Sequence, residues 1–176
     1  KGVYDNWLQA EIPAHLPKRI PYRVCRWTTS KTKKFEEELT GFIVDQEPRL
    51  KIFVMNVEAF STPRGSVAAT AFLYQNPDNI VVIDESTTIK NRKAARTKNI
   101  MALKKRAKYR RILTGSPITK SPMDLFSQCG FLDHKALGFK SFYAFQSRYA
   151  IVQQRIMGPR SFRQITGYRR LDELTE

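Results

Sequence analysis

Ile80-Val81-Val82-Ile83-Asp84-Glu85-Ser86-Thr87 is followed, after a basic stretch, by Tyr109-Arg110-Arg111-Ile112-Leu113-Thr114-Gly115-Ser116-Pro117. The first run has four apolar residues without polar alternation, which predicts a parallel strand covered on both faces. The second is rich in strand formers and predicts the next strand. Each run ends in polar residues of small or acidic type. In open parallel sheets, ligands gather beyond the carboxyl ends of the strands. Asp84 and Thr114 both sit at such ends.

Working outward, strands and helices alternate across residues 20–132, which argues for an α/β domain with a parallel sheet. Residues 4–12 carry apolar side chains at helical spacing (Tyr4, Trp7, Leu8, Ile12), with Pro13 and Pro17 expected to stop the helix. Residues 22–27 and 51–56 read as strands. Thr29 or Ser30 is expected to cap a helix running to about Ile43. Residues 57–60 open a turn or short helix, residues 62–65 break the chain, and a helix follows over 66–74 with Val67, Ala71 and Tyr74 on one face. Residues 91–108 are helical in pattern and strongly basic. Ser121 and Pro122 start a helix, and residues 139–149 form an aromatic-rich one. Residues 150–157 and 161–168 flank Gly158-Pro159 as a β-hairpin, after which Leu171 begins a helix.

The chain has 176 residues, with 31 Lys+Arg against 16 Asp+Glu and a net charge of +15. That length allows a substantial core. No apolar run approaches the roughly 18 residues that span a membrane. The charge attracts polyanions, of which nucleic acid is the commonest inside cells. A generally basic soluble surface is the plainer alternative. Cys25 and Cys129 lie far apart without neighbouring ligand types, so a structural zinc site is excluded and buried, reduced thiols are expected.

Three features carry chemistry. Asp84 is placed to hold a hard cation such as Mg²⁺, directly or through water, and Glu85 to orient and deprotonate an attacking water. Alone, an Asp-Glu pair after apolar residues is equally a solvated acidic turn. Thr114 and Ser116 can exchange hydrogen bonds with the acidic pair, and Gly115 lets the backbone pass close by. An ordinary strand-to-helix turn would look similar. Gly115-Ser116-Pro117-Ile118-Thr119-Lys120-Ser121 imitates a phosphate loop, but it is one residue short, has Thr119 where a second Gly belongs, and loses an N–H donor at Pro117. The aromatic set Phe139, Phe142, Tyr143, Phe145 and Tyr149 reads as core in preference to a base-stacking platform.

Taken together these residues resemble the first RecA-like motor domain of superfamily-two helicases, and most of all the Swi/Snf-type double-stranded DNA translocases. The resemblance runs from about Tyr4 to Leu174. Asn6-Trp7 with Glu11 is similar to the end of the DNA-contacting motif Ia, and residues 53–60 to the strand-and-turn motif that follows it. Val82-Ile83-Asp84-Glu85 matches the Walker B motif, and Ile89-Lys90-Asn91 the Lys-Asn after it. Residues 111–118 with Asp124-Leu125-Phe126 match motif III and its helix. Residues 139–149 resemble the later Phe-x-x-Phe…Tyr stretch. Thr87 stands where the family's acidic box usually has His, and Lys120-Ser121 where it has Asn-[Ser/Thr].

The resemblance implies a RecA-like parallel β-sheet flanked by helices, with a small C-terminal β-hairpin. It implies a partial motor domain over residues 1–149 and a hairpin extension over 150–176. The phosphate loop is expected upstream of Lys1 and a second RecA-like domain downstream of Glu176. The parent would be an intracellular ATP-dependent DNA helicase or translocase, cytoplasmic if bacterial or phage and nuclear if eukaryotic, with Asp84 binding Mg²⁺, Glu85 as catalytic base, and Thr114, Gly115 and Ser116 coupling ATP hydrolysis to movement. Trp7, Asn56, Lys90, Asn91, Arg92 and Lys120 would contact duplex DNA. The isolated chain would hydrolyse ATP negligibly. The alternatives are a non-catalytic basic nucleic-acid-binding module, or a docking domain for an acidic protein.

Overall fold

A computed structural model describes residues 5–174. The chain divides into two compact units at Asp78/Asn79. The class is the one the sequence predicted: mixed α/β, with parallel strand pairs flanked by helices and a closing antiparallel hairpin.

The first unit opens with a π-helical turn, Trp7–Glu11, that passes directly into α1 (Ile12–His15). Pro13 therefore does not stop this helix. It sits at the second position of α1, directly after the π-helical turn, and the chain turns out only at Leu16, next to Pro17. Tyr4 lies outside the described residues. Strand β1 (Tyr22–Arg26) pairs in parallel with β2 (Leu50–Val54). Between them α2 (Lys33–Val44) is capped by Thr32, not by the expected Thr29 or Ser30. Ser30 Oγ instead accepts from the Thr32 N–H.

After a 3-10 turn (Val57–Ser61), α3 runs Pro63–Gln75. The expected break at residues 62–65 is in fact the start of this helix, because Pro63 occupies a first-turn position that suits its fixed φ. The face bearing Val67 and Tyr74 is the solvent face, while Gly65, Ala68, Ala69 and Leu73 are buried. A Cβ on Gly65 would collide with the Ala59 carbonyl, whose carbon would lie 2.7 Å away. Aromatic rings fill the core: Phe42 stacks on Phe72 at 5.4 Å, and Phe53 packs against both.

Two cations fasten this unit. The Arg64 guanidinium lies 4.7 Å over the ring of buried Trp27 and donates to Ser30 O at 2.6 Å and Glu36 Oε1 at 2.5 Å. Lys51 Nζ donates to the carbonyls of Ile43 and Asp45, at 3.1 and 2.7 Å, satisfying oxygens at the end of α2 that have no partner within the helix. Asp45 in turn receives Arg23 at 2.9 Å and Arg49 at 2.6 Å.

In the second unit, β3 (Ile80–Asp84) pairs in parallel with β4 (Tyr109–Leu113), bringing Asp84 beside Leu113. The expectation that β3 is covered on both faces is not met. Ile83 is buried, but Ile80 and Val82 are 54% and 48% exposed. Val82 pairs with exposed Arg111 on β4, and the two-stranded sheet has one open face. Helix α4 is shorter than the basic pattern predicted, Ala95–Leu103, with residues 91–94 forming a turn before it. Helices α5 (Leu125–Leu132) and α6 (Phe142–Tyr149) follow. The aromatic run begins its helix at Phe142 because Ser141 caps it, accepting from Ala144 N; Phe139 lies before it. Phe145 and Tyr149 are buried with Met123, and Phe126, Phe139 and Phe142 pack around them, so most of the aromatic set is core. Tyr143 alone of that set stays 62% exposed.

The hairpin consists of β5 (Ala150–Met157) and β6 (Arg160–Tyr168), closed by Gly158-Pro159. Gly158 takes φ +59°, a conformation that favours glycine at a tight hairpin turn. The last residues described form a 3-10 turn, Leu171–Leu174.

Candidate functional site

The acidic pair and the Thr-Gly-Ser turn meet. Asp84 ends β3, and Glu85 follows with φ 51° and ψ 66°, a left-handed conformation that costs an ordinary L-residue about 1–2 kcal/mol. This bend aims the Glu85 carboxylate across to β4. Thr114 Oγ1 donates to Glu85 Oε1 at 2.9 Å, and Thr87 Oγ1 donates to the same oxygen at 2.7 Å. These bonds, Thr87 first and Thr114 second, hold the Glu85 carboxyl below the usual range, since both donors favour the ionised form. The Glu85 N–H donates to Asp84 Oδ1 at 3.0 Å. Thr87 thus makes a direct contact with the acidic pair.

Ser116 does not reach the acidic pair. Its N–H donates to Thr114 Oγ1 and its hydroxyl to Ile118 O. Gly115 is exposed, with open space where a Cβ would stand.

Beneath these turns lies a residue that sequence reasoning missed. Gln128 on α5 is 1% exposed and its amide works at both ends. Gln128 Oε1 accepts from the fully buried Ser86 hydroxyl at 2.6 Å, while Nε2 donates to Pro117 O at 2.7 Å and Asp124 O at 3.0 Å. The signal was a lone amide in the mostly apolar run Leu125-Phe126-Ser127-Gln128-Cys129-Gly130-Phe131. A buried amide of that kind needs partners.

The loop that imitates a phosphate site is folded around a carboxylate. Asp124 Oδ2 accepts from the N–H groups of Thr119, Lys120 and Ser121 and from the Thr119 hydroxyl. Partial burial pushes this carboxyl up, but the combined donors outweigh burial and its pKa ends low. The backbone donors at Thr119 and Lys120 are thus spent on an internal acid.

The residues expected to touch DNA fall in different places. Trp7 and Asn56 belong to the first unit. Asn56 caps the turn after β2, accepting from Ala59 N at 2.9 Å. In the second unit, Lys90 Nζ donates to Thr119 Oγ1. Asn91 Oδ1 accepts from Lys93 N. The Arg92 guanidinium sits 4.2 Å over the Phe142 ring and 5.1 Å over that of Tyr143. Lys120 is exposed. Other cations of the basic segment turn inward: Lys104 donates to Gly130 O, with burial pushing its ammonium pKa down, and Arg110 donates to Leu132 O at 2.8 and 3.0 Å. The two thiols belong to separate units; burial pushes Cys25 up to about 11 and raises Cys129 as well.

Among the described residues, no group of three or more His, Cys, Asp or Glu could enclose a metal ion. One or two carboxylates at a strand end suit Mg²⁺, which keeps its waters and shares its ligands with phosphate.

Residues 3–175 match the family model of the SNF2-related domain. The chain belongs to that family. This SNF2-related chain is 29% identical to the Drosophila melanogaster SWI/SNF-related matrix-associated actin-dependent regulator of chromatin subfamily A-like protein 1, over 78% of the chain and 19% of that protein. Its Bos taurus counterpart is 37% identical, over 71% of the chain and 12% of that protein. The Bos taurus DNA annealing helicase and endonuclease ZRANB3 is 34% identical, over 54% of the chain and 9% of that protein. The chain thus spans less than a fifth of the length of these curated relatives. No solved structure matches it. The family is the one the sequence resemblance named. No helix among the described residues is long and apolar enough to cross a membrane.

Proposed function

We propose that this chain is part of an ATP-driven motor that moves along double-stranded DNA, and that it supplies the hydrolytic carboxylates and the turn that couples to them. The observation that carries this reading is the Thr114–Glu85 hydrogen bond at 2.9 Å, which joins the ends of two adjacent parallel strands. Membership of the SNF2-related family supports it, as does the likeness to a protein named as a DNA annealing helicase.

ATP bound with Mg²⁺ supplies a γ-phosphoryl group open to in-line attack by water. Asp84 is the metal-holding carboxylate. Glu85, kept ionised and fixed in direction by Thr87 and Thr114, orients the attacking water and takes its proton. Thr114 registers any change at Glu85 and passes it into the Gly115-Ser116 turn. Ser116 acts through Thr114, since its N–H donates to that hydroxyl. Trp7, Asn56, Lys90, Asn91, Arg92 and Lys120 are the DNA contacts carried over from the resemblance. Residues 1–149 make up part of the first motor domain, and residues 150–176 lead towards the second. The setting is intracellular, nuclear in a eukaryotic cell, as the chromatin names of the animal relatives support.

The test is the ATPase rate of the longest native chain that carries residues 1–176, with and without duplex DNA, beside its Glu85→Gln variant. DNA stimulation that the variant abolishes is the expected result. DNA binding with no hydrolysis in either protein would leave a non-catalytic basic binding module. The 176-residue chain alone is expected to turn over ATP negligibly, and efficient turnover by it would overturn that part of the reading.

A further inference from the structure

The hairpin is firmly rooted and otherwise unclothed. At its base Ala150 is buried, and Ile165 and Tyr168 pack on the cluster of Met123, Phe145 and Tyr149. Arg169 locks the returning strand: its N–H donates to Tyr149 O at 2.9 Å, Nε to Arg148 O at 3.1 Å and Nη2 to Ser147 O at 2.6 Å. A register shift between Ile151 and Val152 interrupts the ladder just beyond the root. Beyond it, every residue from Gln153 to Gln164 is exposed.

That outer half has an unusual composition. Residues 150–170 include no Asp or Glu. The pairs Arg155–Phe162 and Met157–Arg160 lie on one face of the ribbon, and Gln154–Arg163 and Ile156–Ser161 on the other, because side chains alternate along a strand. Each face therefore carries both guanidinium and apolar groups. Ile156 and Met157, at the tip, are 80% and 70% exposed. A ribbon docking on a flat protein surface would commit one face. A ribbon with cations on both faces and an apolar end is matched to a cleft walled by negative charge on two sides.

A nucleic-acid groove has that form. The major groove, about 12 Å wide and 8.5 Å deep, admits a two-stranded ribbon. Four residues from Gln154 to the tip extend roughly 13 Å at the usual strand rise. We propose that the outer hairpin, residues 154–163, enters a groove of duplex DNA. Arg155, Arg160 and Arg163 bind phosphates on its two walls, and Ile156 and Met157 press against the base edges. The proposal rests on the reading of this chain as part of a DNA motor, and adds a contact site apart from the helicase-motif residues.

The test is fluorescence anisotropy of a labelled duplex titrated with the longest native chain at several salt concentrations. The slope of log K against log salt counts the phosphates neutralised, at about 0.9 per contact. The triple variant R155Q/R160Q/R163Q is expected to lower that slope by about 2–3. I156S/M157S is expected to leave the slope unchanged and to weaken binding about tenfold, which is about 1.4 kcal/mol. Circular dichroism and melting should be unaltered in both, since all five positions are exposed. A wild-type protein that binds with a steep slope, matched by the triple variant, would overturn the hairpin proposal alone and return the ribbon to a protein partner. A wild-type protein that fails to bind duplex DNA would overturn both this proposal and the reading it rests on.

Discussion

Thr114 and Glu85 are 29 positions apart in sequence and 2.9 Å apart at their side-chain oxygens. Parallel pairing places Asp84 beside Leu113, so the residue after each strand faces its counterpart. The left-handed turn at Glu85 then swings its carboxylate towards β4. Thr114→Val removes one of two donors from the carboxylate. The Glu85 pKa then rises towards its ordinary value, and the acid limb of the proposed DNA-stimulated ATPase moves to higher pH. A pH–rate profile of the longest native chain reads this, with kcat at neutral pH lower by about 10-fold or more, the scale of a misdirected general base.

Gln128→Leu leaves the Ser86 hydroxyl and the Pro117 carbonyl without the amide that joins them. Unsatisfied buried polar groups cost about 1–3 kcal/mol each. A loss of about 2–4 kcal/mol in urea unfolding is expected. Ser86→Ala alone should cost less, since Gln128 Nε2 keeps both of its acceptors.

Gly65→Ala should destabilise despite alanine's better helix propensity. The propensity gain is about 1 kcal/mol. The forced separation of α3 from the Ala59 carbonyl is an overpacking change, costing typically 1–3 kcal/mol, and backbone cannot yield as a side chain tip can. Thermal melting of Gly65→Ala beside the solvent-face control Val67→Ala separates the two effects.

Asp45 gives the fold an acid dependence. The Glu47 N–H, then Arg49 and Arg23, hold its carboxyl well below the usual range. A depressed folded-state pKa contributes stability above the unfolded value, about 4, and that contribution is lost as pH falls through the folded value. Asp45→Asn should therefore melt below wild type at pH 7, and the gap should close as the buffer is taken below about pH 4.

Arg92→Lys tests whether the ring-stacked guanidinium is structural. Lysine keeps the charge but not the planar stacking on Phe142 and Tyr143. A modest drop in stability in Arg92→Lys, about 0.5–1 kcal/mol, with a salt slope for DNA unchanged even in Arg92→Ala, would assign Arg92 to the fold. A slope lowered by about 1 in Arg92→Ala, and retained in Arg92→Lys, would assign it to phosphate.

Much of this molecule was legible in its order of residues. Apolar runs ending in Asp84 and Leu113 gave the parallel pair, and Gly158-Pro159 between alternating segments gave the hairpin. What escaped was decided by tertiary contact. Pro63 reads as a break from its neighbours alone, yet it opens a helix that packs against the preceding turn. Ile80 and Val82 read as buried, but one face of their sheet stays open. Lys104 at the end of the basic helix and Arg110 on the strand after it look like parts of a solvated basic surface, and instead their long stems carry charge inward to carbonyls. Gln128 had no motif to announce it, because the hydroxyl it pairs with, Ser86, lies on a distant turn after β3.

The placement of Gln128 has a mechanical consequence. One planar amide holds the turn after β3 through Ser86 and the turn after β4 through Pro117. Its two ends lie in one plane, so both turns are referred to the same buried group on α5. The loops bearing Glu85 and Thr114 are therefore tied twice, by the bond between those side chains above and by one buried amide below.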